Sequence, residues 1–324
     1  MELPSAAGRD DDPEHGPAAA GSVPWDKTLE TWNPGLVFAL AAGGAVGSAL
    51  LLLAGSGNTP SSDEFVRSPG FLIWAAVIVA QGAVWVVLVV PVLREVFALY
   101  REVKPSLLIW AVPGLVLTAL LLLLAFSPAA GFPWPLYGQQ AKTTMLTLAA
   151  AFLVAIPAVF GICLVQDRLR RHHPTTPSAS DIRLAINARA QVRRLLGVAG
   201  TVIGLAVLAA GALQRATVPT YISADVFPPS AVVIYGAFFT GLLVLVYFPA
   251  HLSLSRLCVD IRNGYYPMTA VPEPTDEHFS AWLERRGRLD ALIQINVSAG
   301  QQLQASLFIL APLISAVIGI VPKG

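Results

Sequence analysis

Seven segments of this chain, 35–55, 71–93, 107–126, 145–165, 195–213, 230–249 and 303–321, contain no Asp, Glu, Lys or Arg. The 21 basic and 20 acidic residues all lie outside them, as do His15, His172, His173, His251 and His278. A helix of about twenty apolar residues, rising about 1.5 Å each, crosses a hydrocarbon core of roughly 30 Å. Lipid-exposed backbone must satisfy its own hydrogen bonds, which leaves helices or a closed β-barrel. Barrel strands alternate apolar and polar residues, whereas Leu50–Leu53 and Leu120–Leu124 are continuous. The expected fold is therefore all-α: a polytopic membrane protein of seven transmembrane helices. At 55% hydrophobic and 13% charged residues, the chain is too apolar for an ordinary soluble domain.

Positive charge is distributed unevenly between alternate connections. Segments 94–106, 166–194 and 250–302 hold three, seven and five Lys plus Arg, against Arg67, Lys142 and Arg215 alone in 56–70, 127–144 and 214–229. Basic loops stay in the cytoplasm, so the N-terminus is expected inside and the C-terminus outside. Seven-helix receptors run the other way. The acidic, Pro/Ala/Gly-rich residues 1–34 lack a basic n-region and apolar core and read as a disordered cytoplasmic tail, with Trp25 and Trp32 at the interface. Seventeen Arg against four Lys, with abundant Ala, suggests a bacterial protein of the plasma (inner) membrane.

The basic connections carry helical patterns. VLREVFALYREVK continues the second span, and IRLAINARAQVRR, capped by Ser178 and Asp181, runs into the fifth. HLSLSRLCVDIRNG extends the sixth span until Asn263-Gly264. After Thr275, a further amphipathic helix carries Phe279, Trp282, Leu283, Leu289, Leu292 and Ile293 on one stripe. In it, Trp282, Arg285, Arg286 and Arg288 are the candidate lipid or partner contacts, either on anionic head groups or on neighbouring helices.

Function is far less legible. A net charge of +1 gives no case for nucleic acid. Ionisable residues inside spans usually mark ion coupling and proton relays; here only Tyr and Cys occur. There is no HExxH, no GxSxG and no intramembrane Asp pair. His172-His173 reads as a basic flank and His251 as an interfacial residue. No catalytic, cofactor or metal set is expected.

Small residues offer packing sites instead. Gly197, Gly200, Gly204 and Gly211 share one helical face, and Gly43 and Gly47 repeat the spacing. Such faces let backbones approach, within one chain or between copies. Spans 1–3 and 5–7 also carry a faint parallel-repeat pattern. Candidate pore or pocket residues are Gln81, Tyr235, Pro113, Pro157 and Pro312. The reading is a non-enzymatic scaffold, sensor or complex subunit in contact with the bilayer, with a homo-oligomer or membrane complex as partner. The alternative is a passive channel or transporter for a small or lipid-like molecule.

Overall fold

The computed structural model describes residues 33–54, 64–103, 114, 145–172, 176–218, 220–221, 223–225, 227–273, 277–293 and 299–320. Their regular structure is helical. In chain order the main helices are α1 (Pro34–Leu53), α2 (Pro69–Val103), α3 (Met145–Arg171), α4 (Ala179–Thr217), α5 (Pro229–Tyr265), α6 (His278–Leu292) and α7 (Ala299–Ile320). Apart from Gly114, the predicted third span, Pro113 included, lies outside the described residues, as do most of the N-terminal tail, His173 and Thr275.

Five helices, α1 to α5, are long and apolar enough to cross a membrane. That is not the seven expected. Among the described residues, the seventh predicted span contributes a shorter apolar stretch, Leu307–Ile318 within α7. Large apolar side chains cover the outside of the bundle, including Phe38 and Leu50 on α1, Leu72 on α2, Leu245 on α5 and Ile318 on α7. A water-exposed surface of this kind would associate; against lipid it is at home.

Local chemistry explains where the helices start. Pro34 follows Asn33, whose Oδ1 accepts the Gly35 N–H at 2.9 Å. Pro69 follows Ser68, whose hydroxyl oxygen accepts the Phe71 N–H at 3.2 Å. Proline suits a first helical turn because its missing N–H has no partner there.

Three helices are longer than a membrane crossing requires. α2, α4 and α5 have 35, 39 and 37 residues, or about 50–60 Å at 1.5 Å per residue. The expected helical continuations are present, except that α5 runs one residue past Gly264 before Tyr266 caps it. Gly264 has another role: a Cβ there would overlap the Pro177 ring in the α3–α4 turn.

α4 is the hub of the bundle, packed against α2, α3, α5 and α7, while α1 lies against α2. Gly197, Gly200 and Gly204 turn toward α7: a Cβ on Gly197 would lie 3.4 Å from the Phe308 ring, and one on Gly200 would strike the Phe308 carbonyl. Pro312 supplies the reason. It lacks the N–H that would bond the carbonyl four residues earlier, which is that of Phe308. The glycine backbone approaches this freed acceptor as closely as Cα–H···O contacts require. On its other side, α7 brings the Pro312 carbonyl to within 2.8 Å of where a Gly236 Cβ would stand. Gly211 is buried within α4.

The first helix corrects the expectation at Gly43 and Gly47. Among the described residues, a Cβ at either would meet nothing within 4 Å. The contact face is one residue on: Gly44 and Ser48 are buried against Gly82 of α2, and a Cβ on Gly82 would overlap the Ser48 hydroxyl. Within the chain the four-residue spacing recurs one residue on from the expected glycines, because a run of small residues does not reveal which of them faces inward.

Candidate functional site

The two ends of the bundle differ in chemistry. At one end, Phe65 packs edge-on to Phe71 and Tyr221, with ring centroids 5.5 and 5.7 Å apart, over buried Trp74 and Leu52. At the other, the helical extensions carry charge and bind one another. Arg168 pairs with Glu102 at 2.6 Å, and Arg171 donates to the Val103 carbonyl at 3.3 Å, tying the ends of α2 and α3.

A clasp closes the α3–α4 turn. Asp181, in the first turn of α4, accepts from the Ser178 N–H at 2.7 Å and the Ser178 hydroxyl at 2.8 Å through Oδ2. His172 Nε2, just past α3, lies 2.6 Å from Oδ1. Burial raises the Asp181 carboxyl, but the Ser178 and His172 contacts outweigh it and hold the group below the usual carboxylate range. A depressed acid stabilises the fold above its unfolded pKa and loses that contribution as pH falls through the folded value. Asp181→Asn is therefore expected to cost about 1 kcal/mol at neutral pH, a typical capping value. Thermal unfolding at a series of pH values should show the gap closing as the pH falls below the ordinary carboxylate range.

A second cluster forms where α4 and α5 leave the charge-free stretches. Arg189 Nη1 donates to the Ile293 carbonyl at 2.6 Å, and Cys258 Sγ lies 3.8 Å from the same oxygen. The Tyr247 hydroxyl lies 3.3 Å from His251 Nδ1, with the two rings stacked at 5.5 Å. Arg193 stands one helical turn from Arg189 on the side nearer the membrane. Burial, then the Arg189 charge, holds the His251 imidazole below its ordinary range. Burial also pushes the Cys258 thiol up, against the pull of Arg189. A buried, protonated thiol is a poor nucleophile.

Ile293 belongs to the end of α6. This helix has no buried residue between His278 and Leu292, and Leu283 and Leu292 are 48% and 55% exposed. Trp282 meets the Tyr266 ring edge-on at 6.1 Å and carries the Arg286 guanidinium 5.1 Å from its own ring centre. Arg286 also reaches the Met268 thioether, and Arg288 pairs with Glu284 at 2.5 Å. α6 thus runs back along the α5 extension, from Tyr266 at one end to Cys258 at the other. Arg285 is exposed.

Among the described residues, the expected pocket candidates Gln81, Pro157, Tyr235 and Pro312 lie on four different helices. Gln81 is 1% exposed on α2, in line with Trp74, Ile78 and Trp85. Among the described residues, neither its Oε1 nor its Nε2 has a hydrogen-bond partner, and the Trp74 and Trp85 indole N–H groups also lack one. Tyr235 lies on α5, and Pro312 is buried against Gly236. Pro157 follows a π-helical turn, Ala151–Ala155, whose wider bonding passes the position where proline offers no N–H. Sequence reading missed the Arg189–Ile293 tether altogether. Its only signal was an arginine on the half-buried side of an amphipathic helix.

No family model matches this chain, and no curated protein or solved structure does either. Among the described residues there is no group of three or more His, Cys, Asp or Glu placed to hold a metal.

Proposed function

We propose that this chain is a non-enzymatic multi-pass membrane component, a scaffold or complex subunit whose working face is the charged end of the bundle. One observation carries the reading: α6 is held at the bundle end by Trp282 and Ile293, yet buries none of the residues between His278 and Leu292. Its exposed Leu283 and Leu292, with Arg285 and Arg288 beside them, suit a protein partner bearing apolar and acidic groups. A lipid surface is the weaker fit for α6. Trp282 packs at Tyr266, about 25 Å along α5 from Pro249 at 1.5 Å per residue. That exceeds the roughly 8–10 Å reach of charge at physiological salt.

The proposal includes seven crossings, with the charged end in the cytoplasm of a bacterial plasma membrane. Val103 ends α2 at the charged end, while Leu146 at the start of α3 packs with the aromatic end. α7 runs alongside α4 with Phe308 at Gly200 and Ser315 at Gly204, which supports a crossing over 303–321. Fifteen Lys and Arg on one side against three on the other support the orientation.

A photoreactive amino acid at Leu283, activated in native membranes, is expected to yield a discrete cross-linked species, with another protein or with a second copy. Leu292→Asp should abolish that species while changing the unfolding free energy of the purified chain by no more than about 0.5 kcal/mol. Only uncross-linked chain and lipid adducts would sink the proposal.

A second reading, a passive conduit for a small or lipid-like molecule, draws on the unpartnered amide of Gln81 in the apolar interior. Flux through liposomes containing the chain, lost in Gln81→Leu, is its test.

A further inference from the structure

Arg193 is the odd member of the charged end. It is partly buried and, among the described residues, forms no hydrogen bond or ion pair. It is followed directly by Arg194 and stands one helical turn from Arg189, among like charges that repel. The charges that act on Tyr247 come from Arg189 and Arg193, and the one that acts on His251 is Arg189. Partly buried cations are retained where a counter-charge meets them.

The position says what kind of counter-charge. Arg193 lies two residues before the charge-free stretch that begins at Leu195, and Tyr247 two residues before Pro249, where the neighbouring stretch ends. Both therefore stand at the level of the membrane boundary, where lipid phosphates lie and where Tyr and Arg are favoured. A guanidinium presents paired N–H donors that match phosphate oxygens. A phenol hydroxyl and an imidazole 3.3 Å apart add short-range donors beside it.

We infer that Arg193, supported by the charge of Arg189 and by the Tyr247–His251 pair, binds the phosphate of an anionic lipid head group between α4 and α5. The site goes beyond the scaffold reading and does not depend on what α6 binds. Because Arg189 also holds the Ile293 carbonyl, the lipid sits one helical turn from the tether that positions α6.

The full chain in neutral detergent is to be titrated with dioctanoyl phosphatidylglycerol, dioctanoyl phosphatidylcholine or inorganic phosphate, with thermal stability and native mass spectrometry as readouts. Phosphatidylglycerol should stabilise saturably and remain bound, whereas phosphatidylcholine and phosphate at equal concentration should not. Arg193→Gln should weaken phosphatidylglycerol binding about five-fold, the usual effect of one basic residue at an anionic surface. Arg285→Gln, on exposed α6, should leave it unchanged. Equal stabilisation by inorganic phosphate would overturn the lipid assignment. Equal weakening by both substitutions would overturn the site, because the attraction would then belong to the charged end as a whole. Arg193→Lys, which keeps the charge but loses the paired donors, should recover only part of the affinity; full loss in a chain with an unaltered thermal transition also supports the guanidinium geometry.

Discussion

Gly200→Leu is expected to detach α7 from the bundle and to prevent accumulation of folded chain. A Cβ alone at this position already strikes the Phe308 carbonyl, and backbone cannot give way as a flexible side chain can. Overpacking of a well-fitted interior costs about 1–3 kcal/mol and sometimes more, and helix association in lipid depends on such close contact. The loss should exceed that range, because α7 packs on both α4 and α5. Gly44→Leu should likewise separate α1 from α2. Gly43→Leu provides the control: with nothing within 4 Å of its Cβ, it should change stability by no more than about 0.5 kcal/mol. Size-exclusion profile and thermal unfolding in mild detergent distinguish these outcomes. Equal damage from Gly43→Leu and Gly200→Leu would contradict the packing described.

Gln81→Leu is expected to act in the opposite direction. Both amide atoms are buried without a partner among the described residues, and an unsatisfied buried polar group costs about 1–3 kcal/mol. Leucine fills a similar volume without that penalty, so the variant should be more stable by a comparable amount. A loss of stability instead would show that the amide is bonded in the folded protein. Under the conduit reading the same variant would also lose flux, so stability and flux together separate a packing defect from a functional polar group.

Legibility in the sequence follows the strength of the physical signal. Charge cannot be left in lipid without consequence, so the edges of the apolar stretches and the long extensions at Val103, Ala179 and Tyr265 could be read directly. Ser178 and Asp181 were recognisable as a cap because three-residue spacing has one geometric use there. The phase of Gly43-Gly44 and Gly47-Ser48 could not be read, since small residues on a wholly apolar helix carry no inside–outside label. Helix contacts were hidden for the same reason: nothing in the composition of α4 announces that it touches four other helices. The Arg189–Ile293 tether joins residues far apart in the chain through a backbone carbonyl, and carbonyls leave no trace in a sequence. Function was the least legible, because the residues that usually declare chemistry are missing from the spans.

The bundle is expected to cross a membrane with its charged end on one side. Ser180 is exposed in the first turn of α4 and Ser223 in the connection that follows its other end, so single cysteines at these two positions, in a chain carrying Cys163→Ala and Cys258→Ala, report the two faces. In intact cells a membrane-impermeant maleimide should label Ser223→Cys, and Ser180→Cys only after permeabilisation. Equal labelling of both positions without permeabilisation, or release of the chain from membranes by alkaline carbonate, would contradict it.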